Sequence, residues 1–321
     1  MTRYRSLLHR ATRDAPAPGT PEWRTLMTAS KVAATFTPSH SPHQSYFSLW
    51  HEMAGHLPGQ IEDEVLQRGR ILEPAIAAWF QEQHPAWNVR PPRGRMWARR
   101  DDPRMAATPD FIIEQGGEVL GLLECKSAQD TTSWGRPGTD EIPPHYMDQV
   151  QWQMYCTGET RTYVAVITGL TFREYVVNRS ETRIRDLVIS ARAFMAALEA
   201  GDTPSVDPDA GHLATYQAVR DLHPDIDDVT AELPHDVAAG YVAARRALRA
   251  AEQVEQAART RVADAMGSAR TATYDGAPVA ERRARGPESR PYVQAARRLP
   301  DIPAAPAVTV NPMNTLTQKA A

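Results

Sequence analysis

The sequence predicts an α/β fold with a mainly helical C-terminal extension, and two patterns carry this prediction. First, helical apolar spacing before about residue 88 gives way to three strand-like segments, a helix, two more strands and a closing helix. Second, a long helical pattern rich in Ala and Arg follows residue 204 and carries only a thin apolar stripe. Strands that alternate with helices in this way are typical of a sheet covered by helices.

Helix and strand signals follow one another along the first part of the chain. Thr20-Pro21-Glu22 combines a capping residue, a proline and an early acid, which is typical of a helix start. Apolar spacing predicts helices over residues 46–55, 61–84, 145–157 and 182–198, and Gly69 and Pro74 should bend or split the second. Strands are predicted within residues 88–100, 105–114, 118–127, 161–170 and 171–179.

These elements divide the chain into four predicted parts. Residues 1–20 are expected to form a flexible arm, and residues 21–204 the α/β domain, which ends at Gly201-Asp202-Thr203-Pro204. Residues 205–299 are expected to form a helical extension with a β-hairpin at Asp275-Gly276. Residues 300–321 are predicted to be a disordered tail.

Composition excludes several classes of protein. The 321 residues are 42% hydrophobic and 23% charged, as in a soluble globular protein. The sequence has no apolar run long enough for a membrane helix and no apolar signal-peptide core, so we expect a cytoplasmic protein without membrane partners. Cys125 and Cys156 are too few for a disulfide framework, a four-thiolate zinc site or a cysteine-ligated iron–sulfur cluster. Because the net charge is −3, any DNA-binding surface must be local.

The strongest chemical signal is Pro109-Asp110 followed, after a glycine turn, by Glu124-Cys125-Lys126. Alternate residues of a strand share a face, so Glu124 and Lys126 project together while Cys125 points away. Asp110 joins that face only if the hairpin has an odd loop or a bulge, and we therefore predict one of the two.

Two carboxylates and an ammonium on one face indicate a site for a divalent cation. Asp and Glu oxygens are hard ligands that suit Mg²⁺ or Mn²⁺, and a lysine can activate or position a nearby water. The alternative to a cation site is a structural role, in which an ordinary Asp and a Glu–Lys ion pair lie near the ends of a sheet. Glu73 could supply another oxygen ligand or be a surface acid, and Gln149 and Gln153 form one polar helix face that is either functional or simply solvated.

Basic residues and histidines give weaker signals. Six arginines cluster before Asp110 and could follow a phosphate backbone, although the preference of this chain for Arg over Lys is a competing explanation; they are Arg90, Arg93, Arg95, Arg99, Arg100 and Arg104. The histidines at positions 40, 43, 51 and 56 have no helical metal-site spacing and are interpreted as packing or surface residues.

Six short motifs occur in an order and at a spacing that resemble the YqaJ-like viral recombinase family. This family includes the phage lambda exonuclease and belongs to the PD-(D/E)xK nucleases. The resemblance covers roughly residues 20 to 200. The motifs are Thr28-Ala29-Ser30, Ser48-Leu49-Trp50 with Gly55, Gly69 with Leu72-Glu73-Pro74, Thr108-Pro109-Asp110, Leu123-Glu124-Cys125-Lys126 and Tyr146-Met147-Asp148-Gln149-Val150-Gln151.

The resemblance implies a PD-(D/E)xK nuclease core, that is, a central mixed sheet flanked by helices. It also implies one or two Mg²⁺ or Mn²⁺ ions, held by Asp110, Glu124 and the carbonyl of Cys125, with Glu73 assisting. In the same resemblance Lys126 acts on the attacking water and Gln149 orients the lysine or the nucleophile.

The resemblance further implies a phage-type recombination exonuclease that degrades duplex DNA from an end, in the 5′-to-3′ direction, inside a bacterial host cell. Its partners would be DNA ends, a phage single-strand annealing protein and further copies of itself, as in a trimer. The predicted DNA-binding residues are Ser30, Arg24, Arg93, Arg95, Arg99 and Gln153. Two alternatives stay open: an inactive nuclease fold that serves as a DNA-binding scaffold, and a restriction-type endonuclease.

Overall fold

The computed structural model describes residues 9–58, 64–129, 132–286 and 288–303. The chain divides into two compact units, Met1–Asp227 and Asp228–Ala321. The predicted boundary at residue 204 therefore falls inside the first unit. None of the helices in the described ranges combines the length and the apolar character needed to cross a bilayer.

The first unit contains eight strands and six α-helices within its described residues, with short 3₁₀ turns at Val32–Thr35 and Asp207–Asp209. In chain order the elements are β1 (His9–Asp14), α1 (Pro21–Arg24), α2 (Tyr46–Met53), α3 (Glu64–Gln83), β2 (Asn88–Arg90), β3 (Arg95–Arg99), β4 (Ala106–Ala107), β5 (Phe111–Gln115), β6 (Glu118–Ala128), α4 (Pro144–Thr157), β7 (Arg161–Thr168), β8 (Thr171–Asn178), α5 (Glu181–Ala200) and α6 (Leu213–Leu222).

A five-stranded mixed sheet with the order β2-β5-β6-β7-β8 forms the centre of this unit. Strands β6 and β7 run parallel, with α4 as the crossover between them, and the other neighbours are antiparallel. Strand β6 is therefore flanked on both sides, and its central residues are buried. This arrangement confirms the predicted mixed sheet flanked by helices.

Each face of the sheet is covered by one helix. Ile76 and Phe80 of α3 pack against Phe111 and Leu123 on one face. On the other face, α4 packs against the residues that alternate with these, including Ile112 and Leu122. Helix α3 runs through Pro74 as one element, so the predicted split does not occur. Residues 59–63, where the longer predicted helix would begin, lie outside the described residues.

The β5–β6 hairpin determines which residues share a face. Gly116 and Gly117 form a two-residue turn with φ values of 59° and 83°, a region that favours glycine. The pairing then changes from Glu114 with Val119 to Ile113 with Gly121, so β6 contains a bulge. The prediction of an odd loop or a bulge is thus confirmed by the bulge.

A smaller sheet with the order β1-β3-β4 lies beside the central one. The predicted strand over residues 88–100 is in fact two strands in different sheets. Pro91 and Pro92 separate β2 from β3, because proline has no backbone N–H to donate to a sheet. The prediction of a flexible arm over residues 1–20 is wrong for His9–Asp14, which pairs with Arg95–Arg99. Residues 1–8 lie outside the described residues.

In its described residues, the second unit consists of one long helix, α7 (His235–Met266), and a three-stranded sheet with β10 at its centre. The outer strands are β9 (Thr271–Tyr274) and β11 (Tyr292–Ala295), and β10 is Ala277–Arg283. Strands β9 and β10 are joined at Asp275-Gly276, where the sequence indicates a hairpin. Most of the predicted tail, residues 304–321, lies outside the described residues.

Candidate active site

Asp110 and Glu124 lie next to each other at the start of the β5–β6 ribbon. Phe111 pairs with Leu123, so Asp110, one residue earlier, is level with Glu124. The Cys125 N–H donates to Oδ2 of Asp110 over 2.8 Å, while the Cys125 side chain packs on the opposite face of the sheet. The predicted common face of Asp110, Glu124 and Lys126 is therefore present.

Lys126 is ion-paired with Glu124, since its Nζ donates to Oε1 of that carboxylate. Burial disfavours the ammonium, but the charges of Glu124 and Asp110 outweigh this effect and raise the pKa of Lys126 above its ordinary value. The same Nζ lies 4.9 Å from the centre of the Tyr146 ring. Without a bound cation, Lys126 is thus a fixed positive charge rather than a proton acceptor.

Gln149 and Gln153 of α4 reach the same carboxylate. The two glutamines are one helical turn apart. Gln149 donates from Nε2 to Oε1 of Glu124 over 2.5 Å, and Gln153 donates from Nε2 to Oε2 of Glu124 over 2.7 Å. Gln153 is only 1% exposed, so the predicted contact between Gln153 and DNA is wrong. Its amide instead holds Glu124 in place.

The carboxylates repel one another. Burial, followed by the charge of Glu124, raises the pKa of Asp110 well above its usual range, and Lys126 only partly opposes the rise. Burial and Glu124 likewise raise the pKa of Glu73, which is half-buried on α3. The sequence-predicted acids therefore do come within electrostatic reach of one another.

A cluster of carboxylates with raised pKa values has the chemistry of a divalent-cation site, because a bound cation would relieve the repulsion. Two carboxylates and the backbone carbonyl of Cys125 are oxygen donors of the type that Mg²⁺ and Mn²⁺ prefer. In the described part of the chain, no three His, Cys, Asp or Glu side chains are placed to hold one ion. A cation here would therefore depend on the backbone carbonyl and on water as well as on side chains.

Lys31 is a buried lysine that directly follows Ser30 in the chain and lies within electrostatic reach of Arg24. Lys31 is 1% exposed and donates to the carbonyl oxygens of Trp23 and Leu26, both over 2.9 Å, so it ties the α1 segment to the residues that follow Ser30. Ser30 is exposed and lies two residues before the short 3₁₀ turn at Val32–Thr35.

The pKa of Lys31 is set by its burial and by the charges of Glu52 and Arg24. Arg24 is half-buried, and its Nε has no hydrogen-bond partner. Burial lowers the pKa of Lys31 to about 7, although Glu52 opposes this effect. Sequence reasoning assigned no role to Lys31. The available signal was that lysine is rare in this chain, which has only three.

Of the predicted phosphate-binding arginines, Arg93 and Arg95 are exposed and Arg99 is not. Arg99 donates to Asp101 over 2.9 Å and lies over the Tyr155 ring at 4.5 Å. The neighbouring Arg90 and Arg104 also pair with acids, Glu114 and Asp102 respectively. The cluster is therefore less positive than its sequence suggests, and DNA contact by Arg93, Arg95 and Arg99 stays a prediction.

A buried ion network near the N-terminus of α4 was missed by sequence reasoning. Asp148 is 1% exposed and accepts from Arg183 at 2.7 Å, with His40 at 2.9 Å on its other oxygen. His43 and His145 meet edge to face on the preceding turn. The burial of Asp148 could not be read from the polar appearance of its helix, because the partners come from distant segments.

Comparison with known proteins gives a family for this region. Residues 21–160 match the YqaJ-like viral recombinase domain. No curated protein matches the sequence. Among solved structures, an alkaline exonuclease from Laribacter hongkongensis is 24% identical, with a TM-score of 0.45 over 57% of this chain and 94% of that one. A phage-related exonuclease from Haemophilus somnus 129PT is 13% identical, with a TM-score of 0.39 over 55% of this chain and 96% of that one.

The matched residues include the β5–β6 ribbon and α4 up to its C-terminal cap at Gly158. They therefore contain the carboxylates, the lysine and the glutamines described above. Residues 21–160 form a YqaJ-like viral recombinase domain, and this assignment supports a recombination-related nuclease.

Proposed function

We propose that this protein is a metal-dependent deoxyribonuclease that removes nucleotides from the ends of duplex DNA, in the 5′-to-3′ direction. The observation that carries the proposal is the convergence of Asp110, Glu124, Lys126 and Gln149 on one side of the β5–β6 ribbon. Carboxylates can hold a catalytic cation, and an ammonium and an amide donor beside them can orient a water and stabilise charge on phosphate oxygens.

Asp110, Glu124 and the carbonyl of Cys125 would hold Mg²⁺ or Mn²⁺, one or two ions in all, with Glu73 assisting from α3. A bound cation would make a water more acidic and offset the negative charge that develops on the phosphate oxygens. The hydrogen bonds from Gln149 and Gln153 hold the Glu124 carboxylate in one orientation, so the site is prepared before substrate arrives.

Lys126 would position the attacking water through its ammonium protons. Its raised pKa argues against a role as proton acceptor in the cation-free protein, since the charged form is stabilised. Gln149 lies beside it on the same oxygen of Glu124 and would orient either the lysine or the water.

DNA would be held by groups outside this cluster. Ser30, next to Lys31 in the chain, and Arg24, within electrostatic reach of Lys31, would receive the 5′-phosphate. The exposed Arg93 and Arg95 would follow the backbone without sequence preference. Arg99 would join them only by giving up Asp101 as its partner.

The proposal is tested with linear duplex DNA carrying a label at one 5′ end. We expect release of labelled nucleotide that requires Mg²⁺ or Mn²⁺ and falls at least about a thousandfold in Lys126→Ala and Glu124→Gln. Glu118→Gln is the matched control, because Glu118 lies on the same strand but is exposed at the turn. Binding of Mn²⁺, measured by calorimetry, should be lost in Glu124→Gln and kept in the control.

Substrate form decides between the proposal and its alternatives. An end-dependent enzyme spares covalently closed circular duplex, whereas an endonuclease cuts it. If the protein binds DNA but cleaves neither linear nor circular duplex, with Mg²⁺ or with Mn²⁺, it is an inactive scaffold instead.

A further inference from the structure

Helix α7 carries an apolar face that its own unit leaves uncovered. All of its residues are described, and only Met266 in the last turn is buried. Near that turn the helix contacts the β9–β10–β11 sheet, where Arg282 of β10 donates to the Ala263 carbonyl over 3.2 Å. Four large apolar side chains before that turn are between 48% and 71% exposed, and a fifth, Val242, is 45% exposed; the four are Val237, Tyr241, Leu248 and Val254.

The exposed face follows a seven-residue repeat. Tyr241, Leu248, Glu255 and Val262 occupy one core position of the repeat. The second core position is occupied by Val237 and then, without exception, by alanine: Ala244, Ala251, Ala258 and Ala265. Apolar residues at both positions of a heptad form the seam along which helices pair, and alanine lets two helices approach closely.

We propose that α7 pairs with the same helix of a second copy of this chain, in antiparallel orientation. The charges on the seam select this orientation. In a parallel pair Glu255 would face its own copy, which places two carboxylates together in the core. In an antiparallel pair, core residues of one type face those of the other, so Glu255 faces Ala244 of the second copy and keeps its ion pair with Arg259.

The flanking charges also select one register. When Leu248 is level with Ala251 of the second copy, Arg245 lies beside Glu252 of that copy, and the two-fold axis repeats the pair. Val237 is then level with Val262 at each end, so the overlap covers about 40 Å of helix at 1.5 Å per residue. A shift by one heptad brings Glu252 against Glu252 and Arg245 against Arg259, which are like charges.

On the other flank of the same register, Ala247 lies beside Val254 of the second copy. This contact would cover Val254, the most exposed of the four large side chains at 71%. One antiparallel arrangement therefore accounts for the apolar repeat, the alanines and the placement of the charges together.

The test compares the mass of the assembly of the full chain with that of variants, by light scattering at several concentrations. We expect the wild-type assembly to have at least twice the mass of the Leu248→Glu assembly, whatever contacts the first unit makes. Val242→Glu is the matched control, because Val242 is 45% exposed and lies outside the two core positions of the repeat, so that its replacement should leave the mass unchanged. Far-UV circular dichroism confirms that each variant keeps its helix content.

Charge exchange tests the orientation. Arg245→Glu and Glu252→Arg should each raise the dissociation constant about tenfold or more, because like charges then lie beside each other. The double variant should restore the wild-type value. The proposal is overturned if wild type and Leu248→Glu have the same mass at every concentration, or if the double variant associates no better than the single ones.

Discussion

At the scale of single residues, the site is organised around one buried carboxylate. Glu124 is 1% exposed and accepts hydrogen bonds from Lys126, Gln149 and Gln153. A buried carboxyl group without donors would be strongly destabilising, so these donors offset the cost of its burial and fix its orientation. Gln153 therefore acts through Glu124 and is a positioning residue.

Replacing Gln153 with Leu separates this role from DNA contact. Loss of its donor leaves one Glu124 oxygen without a partner, and we expect kcat to fall about ten- to a hundredfold, as for other groups that orient a ligand. KM for DNA should change little because the side chain is buried. Steady-state kinetics on linear duplex, with calorimetric titration of Mn²⁺, measure both effects. A rise in KM at unchanged kcat would contradict this interpretation.

The buried Lys31 predicts an unusual pH dependence of stability. Its pKa is about 7 in the folded chain against an ordinary value of 10.5, so between these values the unfolded chain binds more protons. The free energy of unfolding should therefore rise with pH above 7, by up to about 1.4 kcal/mol per pH unit from this group. Urea unfolding at pH 7, 8 and 9 measures the slope. Lys31→Met should lose this contribution, and an equal slope in both proteins would refute it.

At the scale of elements, the β5–β6 ribbon is held against β7 by the parallel pairing of β6 with β7. Gly121 makes this approach possible, because a Cβ at that position would lie 2.6 Å from the Arg161 carbonyl oxygen. The same glycine is the first residue of regular pairing after the bulge. Its small size therefore affects the strand that carries Glu124 and Lys126.

Gly121→Ala should destabilise the protein by about 2 kcal/mol or more, since the clash is with backbone and cannot be relieved by a rotamer change. Gly69→Ala is the matched control. Gly69 lies in α3, with open space where its Cβ would be, so alanine should stabilise the helix by up to about 1 kcal/mol. Thermal unfolding of the two variants compares them. Equal shifts would mean that the approach of β7 does not constrain position 121.

At the scale of the whole molecule, the proposed nuclease site and the long helix α7 belong to different units of the chain. The proposed catalytic and DNA-binding residues lie between Arg24 and Gln149, inside the first unit, whereas α7 belongs to the second. The central sheet and the helices that cover its two faces are complete before residue 227. The two units should therefore be separable by truncation.

A chain that ends at Asp227 is expected to fold and to keep its nuclease activity per site within about threefold. It should also lose the association that we assign to α7. Circular dichroism, light scattering and the end-label assay measure these three properties. An unfolded or inactive truncated chain would show that the first unit depends on residues after 227.

Sequence periodicity predicted most elements of the first unit, and strand alternation placed Glu124 and Lys126 on one face. Both are local properties, since a strand alternates its side chains whatever it packs against. The same is true of the helical repeat that places Gln149 and Gln153 one turn apart. Ordered motifs added the family, which the match to residues 21–160 confirms.

Only the tertiary structure decided what those polar side chains contact. Gln153 could equally face solvent or DNA until the packing of α4 on β6 placed its amide against Glu124. The sign of the pKa shift at Lys126 likewise depends on two carboxylates brought close by a bulged hairpin. Burial and electrostatic reach are set by segments distant in the chain, and for this reason local pattern identified the reactive groups but not their ionisation or their partners.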